Sequence, residues 1–304
     1  MAILQPAPTQ KRSPAARGVQ QTKIILEMIK FEHTVFALPF ALMAATLAGR
    51  GHWGLFWHKI GWVLLAMIGA RSAAMAFNRI VDRRFDALNP RTANRALPTG
   101  QLTVPQVVVF TLVSAALLVW AAAMLNPLAL ALSPVALVLA LGYSYTKRFT
   151  AFSHLFLGLA LAVAPVGAWI ALTGRIDPPA LWLGGAVVCW LFGFDILYAL
   201  QDTEFDRAHG LHSMPAWLGN ARALAVSRLA HALMIGLLAM VGVSAHLGVI
   251  YSIAVALVAV LIAYEQSLVR PDDLSKLDVA FFTLNGYVSV GLFLLTLLDV
   301  LTRG

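Results

Sequence analysis

The chain has 304 residues, 60% of them hydrophobic and only 12% charged, with a formal net charge of +8 and a mean hydropathy of +0.79. Soluble domains carry roughly 25% charged residues, so this composition excludes water-soluble packing and points to a polytopic, all-α membrane protein. The single cysteine, Cys189, leaves no disulfide framework and no thiolate metal site within one chain.

Residues 1–23 contain Pro6, Pro8 and Pro14 among the basic Lys11, Arg12 and Arg17. No long apolar run follows directly, so the segment reads as a flexible cytoplasmic arm rather than a secretory signal. Its charge suits topology and anionic lipid, and no nucleic-acid partner is expected. Residues 24–304 read as one transmembrane domain.

A span needs about 20 mostly apolar residues. Nine are expected, at 34–49, 60–81, 104–125, 127–144, 152–173, 180–201, 221–245, 247–265 and 279–301. The first is short and holds Pro39, and an amphipathic stretch from Thr22 to His33 could extend it. The positive-inside rule sets the orientation. Lys11, Arg12, Arg17, Lys23 and Lys30 precede the first span. Arg83, Arg84, Arg91, Arg95, Lys147, Arg148, Arg207, Arg222, Arg270 and Lys276 fall on the same side of the alternating loops. Only Arg50, Lys59, Arg175 and Arg303 fall opposite, which places the N-terminus in the cytoplasm and the C-terminus outside.

Two acidic rows close two of these spans. The second ends Asn78-Arg-Ile-Val-Asp82-Arg-Arg-Phe-Asp86, and the sixth ends Asp195-Ile-Leu-Tyr198-Ala-Leu-Gln-Asp202-Thr-Glu-Phe-Asp206. At about 100° per residue each set shares one helix face. A solvated helix end is the plain alternative for either row alone. Both rows lie at the cytoplasmic end, however, and Asp195 sits among Phe192, Phe194 and Ile196, where an ionised group needs a partner. They are also in register, since a constant offset of 120 residues relates Asn78, Asp82 and Asp86 to Tyr198, Asp202 and Asp206. That suggests duplication of a four-helix unit and equivalent positions in a pseudo-symmetric bundle.

Facing carboxylate rows repel unless a cation lies between them. Oxygen ligands without nearby His or Cys select Mg²⁺, and the negative ends of two helix dipoles favour a cation again. Mg²⁺ is commonly completed by substrate phosphates, so a diphosphate is the expected ligand. Basic groups suit its oxygens: Arg71, seven residues before Asn78; Arg91 and Arg95 in the following loop; Lys147 and Arg148 after Tyr143 and Tyr145. For Arg71 the alternative is interhelical pairing, and for Lys147 and Arg148 it is membrane anchoring.

These motifs together resemble the UbiA superfamily of intramembrane prenyltransferases. The resemblance rests on Asn78-x3-Asp82-x3-Asp86, Arg91-Thr-x-x-Arg95-x-Leu-Pro98, Tyr143-Ser-Tyr-Thr-Lys147-Arg-Phe-Thr and Asp195-x2-Tyr198-x3-Asp202-x3-Asp206. It implies a nine-helix bundle whose central cavity binds a polyprenyl diphosphate through Mg²⁺ and passes the prenyl group to an aromatic acceptor. By motif it assigns metal binding to Asn78, Asp82, Asp86, Asp202 and Asp206, and diphosphate contacts to Arg71, Arg91, Tyr143 and Lys147. Asp195 and Tyr198 match positions nearer the acceptor and the reacting carbon, with Arg71 beside them in the catalytic set. Asp195 is the candidate to activate the acceptor hydroxyl or take the ring proton.

The stretch Ile29-Lys30-Phe-Glu32-His33-Thr-Val-Phe-Ala-Leu-Pro39 resembles the 4-hydroxybenzoate branch of bacterial quinone synthesis, in the inner membrane. It makes Lys30 and His33 candidate contacts for a carboxylated acceptor, with interfacial anchoring as the alternative. Other acceptors fit the same diphosphate site, including a naphthoquinone-type acid of the futalosine menaquinone route. A phosphatidyl-alcohol transferase would need a tight Asp-x2-Asp-Gly-x2-Ala-Arg run that is missing here, and a cation transporter would favour sites at the midplane. His209, His212 and Ser213 are expected to shape a cap over the cavity, and Asn285 to make an interhelical hydrogen bond.

Overall fold

The computed structural model describes residues 22–29, 34–277 and 279–303, and the regular elements among them are helical apart from one isolated bridge between Arg270 and Asp273. After the short α1 (residues 22–28) come α2 (Thr34–Ala48), α3 (Trp53–Leu88), α4 (Val104–Leu125), α5 (Pro127–Thr146) and α6 (Ser153–Thr173). The second half holds α7 (Pro178–Ala199), a 3-10 turn (Leu200–Asp202), α8 (Thr203–Ala208), α9 (Met214–Leu218), α10 (Asn220–Ser244) and α11 (Val249–Leu268). A π-helical stretch, Val279–Leu284, leads into α12 (Asn285–Arg303).

Among the described residues eight helices are long and apolar enough to cross a membrane, and a shorter apolar helix, Phe36–Ala48, stands at the first expected span. The largest departure in length is α3. Its apolar window suggests 60–81, but the helix runs for 36 residues, about 54 Å at 1.5 Å per residue. A bilayer core is about 30 Å thick. The polar end of α3 therefore continues as helix beyond the apolar segment and carries its acidic row there.

Helix ends are closed by side chains from neighbouring helices. Asn126 Oδ1 accepts from Ala129 N at 2.9 Å and starts α5, while its Nδ2 donates to Ile170 O at 2.8 Å and Ala171 O at 3.1 Å. Lys59 Nζ donates to the same Ala171 carbonyl at 2.7 Å. Those carbonyls lie in the last turn of α6, where backbone donors run out; Ile170 O also accepts from Gly174 N at 2.8 Å, and Gly174 ends the helix in the left-handed region at φ 70°.

Without a hydrophobic drive between helices in lipid, close backbone approach holds the bundle. A Cβ on Gly69 of α3 would fall 2.7 Å from Leu118 N and 2.8 Å from Ser114 O of α4. The α3–α4 packing recurs as α7 on α10, and α2 lies against α6 and α12, in keeping with a duplicated four-helix unit. Between α2 and α7, Trp190 packs against Phe40 and Phe194 at centroid distances of 4.9 and 4.8 Å. Its Nε1 donates to Asn285 Oδ1 at 2.6 Å, the interhelical bond expected of that asparagine.

Candidate active site

Arg71, Asn78, Asp82, Asp86, Arg91, Tyr143, Lys147, Asp195, Tyr198, Asp202 and Asp206 all line one cavity of about 340 Å³. Lys30 and His33, the candidate acceptor contacts, lie outside the described residues. Above the polar groups the wall is apolar, built from Phe36, Leu157, Leu161, Leu191 and Phe194.

The two rows are built differently. Asn78, Asp82 and Asp86 follow one another on the continuous α3, and Asn78 Nδ2 donates to Asp82 Oδ2 at 2.8 Å. The sequence spacing puts the second row on one helix too, but α7 ends at Ala199 and a 3-10 turn carries Asp202 before α8 carries Asp206. A 3-10 turn advances three residues per turn and about 2 Å per residue, so it winds the backbone more tightly between Tyr198 and Asp206 than an α-helix would. Thr203 Oγ1 donates to Leu200 O at 2.8 Å and steadies the turn.

Each acidic group meets a base. Arg148 Nη2 donates to Asp82 Oδ1 at 3.0 Å, and Arg95 Nη1 to Asp86 Oδ1 at 2.7 Å. Arg91 crosses to the other row, where its Nε and Nη2 take the two oxygens of Asp202 and its Nη1 donates to the Tyr198 hydroxyl at 2.8 Å. Burial works against the charge of Arg91, but the Asp202 carboxylate and then Tyr198 outweigh it and hold its pKa above the ordinary value. Lys147 Nζ pairs with Asp206 Oδ1 at 2.9 Å, and Asp206 Oδ2 is buried without a hydrogen-bond donor among the described residues. Asp86 Oδ2 is likewise buried and without a hydrogen-bond donor among them.

Those carboxylate oxygens are what a hard cation takes. No three His, Cys, Asp or Glu side chains among the described residues stand close enough to hold an ion by themselves. Such a donor set fits an ion completed by phosphate oxygens and water, and not a closed structural site.

Three contributors carry no motif in the sequence. Asn89 donates from Nδ2 to Asp202 Oδ1 at 3.2 Å and accepts the Arg91 N–H at 2.9 Å, so it aims Arg91 at the second row. Its signal is its place directly after the α3 row and before Pro90. Arg79, 7% exposed, donates to Met28 O at 3.3 Å and lies 4.0 Å from Asp86. His154, 3% exposed at the start of α6, holds Asp195 Oδ2 at 2.6 Å; a polar residue opening an apolar span is its only mark. Of the loop expected to cap the cavity, Leu211 lines it while His209, His212 and Ser213 do not; His212 N donates to Lys147 O at 2.7 Å and Ser213 Oγ accepts from Ala216 N, which tie the loop down.

A family model described as the UbiA prenyltransferase family matches residues 37–287. The 4-hydroxybenzoate octaprenyltransferase of Nitrosospira multiformis is 32% identical over 243 residues, covering 79% of this chain and 82% of that protein. The one from Vibrio vulnificus is 30% identical and covers 91% and 97%. The apo structure of a UbiA homolog from Aeropyrum pernix K1 is 34% identical with a TM-score of 0.79, covering 88% of this chain and 98% of that one. A UbiA homolog from Archaeoglobus fulgidus bound to GPP and Mg²⁺ shares the fold at 22% identity and a TM-score of 0.67, covering 92% and 99%. By its helical fold, the order of its motifs and these matches, this multi-pass membrane chain belongs to the UbiA prenyltransferase family and is a prenyltransferase.

Proposed function

We propose that the chain transfers a polyprenyl group from polyprenyl diphosphate to a ring carbon of 4-hydroxybenzoate, with Mg²⁺, in quinone synthesis at a bacterial inner membrane. The observation that carries this reading is the convergence of two carboxylate rows and their basic partners on one cavity with an apolar wall. The curated relatives named for that acceptor support the choice of substrate, and the A. fulgidus homolog bound to GPP and Mg²⁺ supports the choice of ion.

In this reading Asn78, Asp82, Asp86, Asp202 and Asp206 hold the ion. When bound, Mg²⁺ offsets the charge of the departing diphosphate. Arg71, Arg91, Tyr143 and Lys147 donate to diphosphate oxygens, and they are preorganised where negative charge develops as the C–O bond breaks. Phe36, Leu191 and Phe194 keep water from the allylic carbon, which would otherwise be hydrolysed. Tyr198 orients Arg91, and Asp195 takes the proton released from the attacked ring. The cytoplasm-facing placement of the acidic rows follows from the distribution of Lys and Arg along the sequence.

The test is mass spectrometry of products from membranes supplied with farnesyl diphosphate and a panel of acceptors. Prenylated 4-hydroxybenzoate is expected. Product with a naphthoic acid alone would reassign the acceptor, and release of diphosphate without any prenylated aromatic would remove the reading.

A further inference from the structure

Among the described residues, Asp195 is the one aspartate of the cavity wall that meets an imidazole in place of an Arg or Lys. Its Oδ2 lies 2.6 Å from His154 Nδ1, and no hydrogen bond to Oδ1 occurs among the described residues, although Asp195 lines the cavity. The other ring nitrogen decides the tautomer. Met214 N donates to His154 Nε2 at 3.4 Å, and a backbone N–H can only donate. With Nε2 accepting that N–H, Nδ1 is the ring nitrogen that donates to Asp195.

The fold builds this pair from three directions. Gly158 lets α6 touch α7, because a Cβ there would fall 2.8 Å from Val188 O. That contact lies one turn from His154 on α6 and two turns from Asp195 on α7. The Met214 N–H comes from the first turn of α9, where helix donors lack intrahelical acceptors. Ser213, fully buried, starts that helix, and the preceding loop is tied to α5 through His212 N and Lys147 O at 2.7 Å.

We propose that His154 is the positioning residue for Asp195, donating from Nδ1 to one carboxylate oxygen so that the other faces the acceptor ring. The inference rests on the function proposed above. As the ring π pair forms a bond to prenyl C1, the C1–O bond breaks and its electron pair leaves with the diphosphate. The proton on the attacked ring carbon then passes to Asp195 Oδ1. His154 holds the other oxygen, Oδ2, through Nδ1 and so fixes the carboxylate while Oδ1 takes the proton.

The test uses the full chain in membranes, with farnesyl diphosphate and 4-hydroxybenzoate, unlabelled or deuterated at the two ring positions beside the hydroxyl. His154→Gln keeps a group near the Met214 N–H but removes the donor to Asp195. It should lower kcat by about 10- to 100-fold, part of what a positioned general base contributes, leave KM for the diphosphate unchanged and enlarge the deuterium effect on kcat. His154→Asn places an amide N–H where Nδ1 stood and should keep most of the turnover and a small isotope effect. If His154→Gln fails to accumulate, His154→Leu against His154→Asn makes the same comparison. An unchanged kcat and isotope effect in His154→Gln would overturn the proposal. So would equal losses in the Asn and Gln variants, which would leave His154 a packing role only. Absence of transfer by the unaltered protein would instead remove the functional reading and this inference with it.

Discussion

Arg91, in the loop that follows the first acidic row, is hydrogen-bonded to Asp202 and Tyr198 of the second. One guanidinium thus joins the two halves of the bundle across the cavity mouth, with a planar fork that lysine cannot reproduce. Arg91→Lys should keep the charge but lose the two-pronged grip. Charge-assisted hydrogen bonds contribute about 1.5–3 kcal/mol, so kcat/KM for polyprenyl diphosphate should fall by about 10- to 100-fold. Steady-state kinetics on the purified protein checks it, and equal kcat/KM would remove Arg91 from the site.

Asp82→Asn and Asp202→Asn should abolish turnover, a loss of about 1,000-fold or more if metal-held charge supplies several kcal/mol of transition-state stabilisation. Neither change should prevent insertion, since the side chains are 31% and 11% exposed at a helix end and belong to no apolar cluster. Membrane yield and thermal unfolding report the second half of that statement, and product formation the first.

Stripping divalent ions with a chelator should stop transfer, and Mg²⁺ should restore it where Zn²⁺ does not, because the ligands are oxygens. Mg²⁺ alone should move the unfolding temperature little. Mg²⁺ with a non-hydrolysable prenyl diphosphate should raise it, since no three acidic or His side chains among the described residues meet without phosphate. A large shift with Mg²⁺ alone would contradict that order of assembly.

What the sequence makes legible divides along physical lines. Asn78, Asp82 and Asp86 can be read because a four-residue spacing on a continuous helix fixes one face, and α3 is continuous. The far end of α3 cannot, because hydropathy reports lipid contact and says nothing of a helix that goes on past it. The 3-10 turn at Leu200–Asp202 leaves the order of the second row intact while changing its spacing along the axis. Arg148 on Asp82 and His154 on Asp195 depend on which helices touch. Those contacts are set by glycines such as Gly158 whose role appears only once α6 and α7 are packed.

Those glycines give a graded prediction about stability. A Cβ on Gly193 of α7 would fall 2.3 Å from the His231 ring, which is held by Trp190 O at 3.2 Å and by Gln266 at 2.9 Å and so has little freedom to turn away. A Cβ on Gly158 would meet backbone at 2.8 Å, which yields only if the helices part. Overpacking of this kind destabilises by about 1–3 kcal/mol, so Gly193→Ala and Gly158→Ala should both lower the unfolding temperature. Gly142 of α5 has nothing within 4 Å of an added Cβ; there alanine should be neutral or stabilise by about 0.5–1 kcal/mol through backbone entropy. Activity separates the first two variants further. Gly158→Ala pushes on the helix pair that brings His154 to Asp195, so its kcat should fall, whereas Gly193→Ala strains the packing of α7 on α10. Thermal melts and turnover of the three variants decide it, and a Gly158→Ala variant as stable and active as Gly142→Ala would show that α6 and α7 do not approach at that glycine.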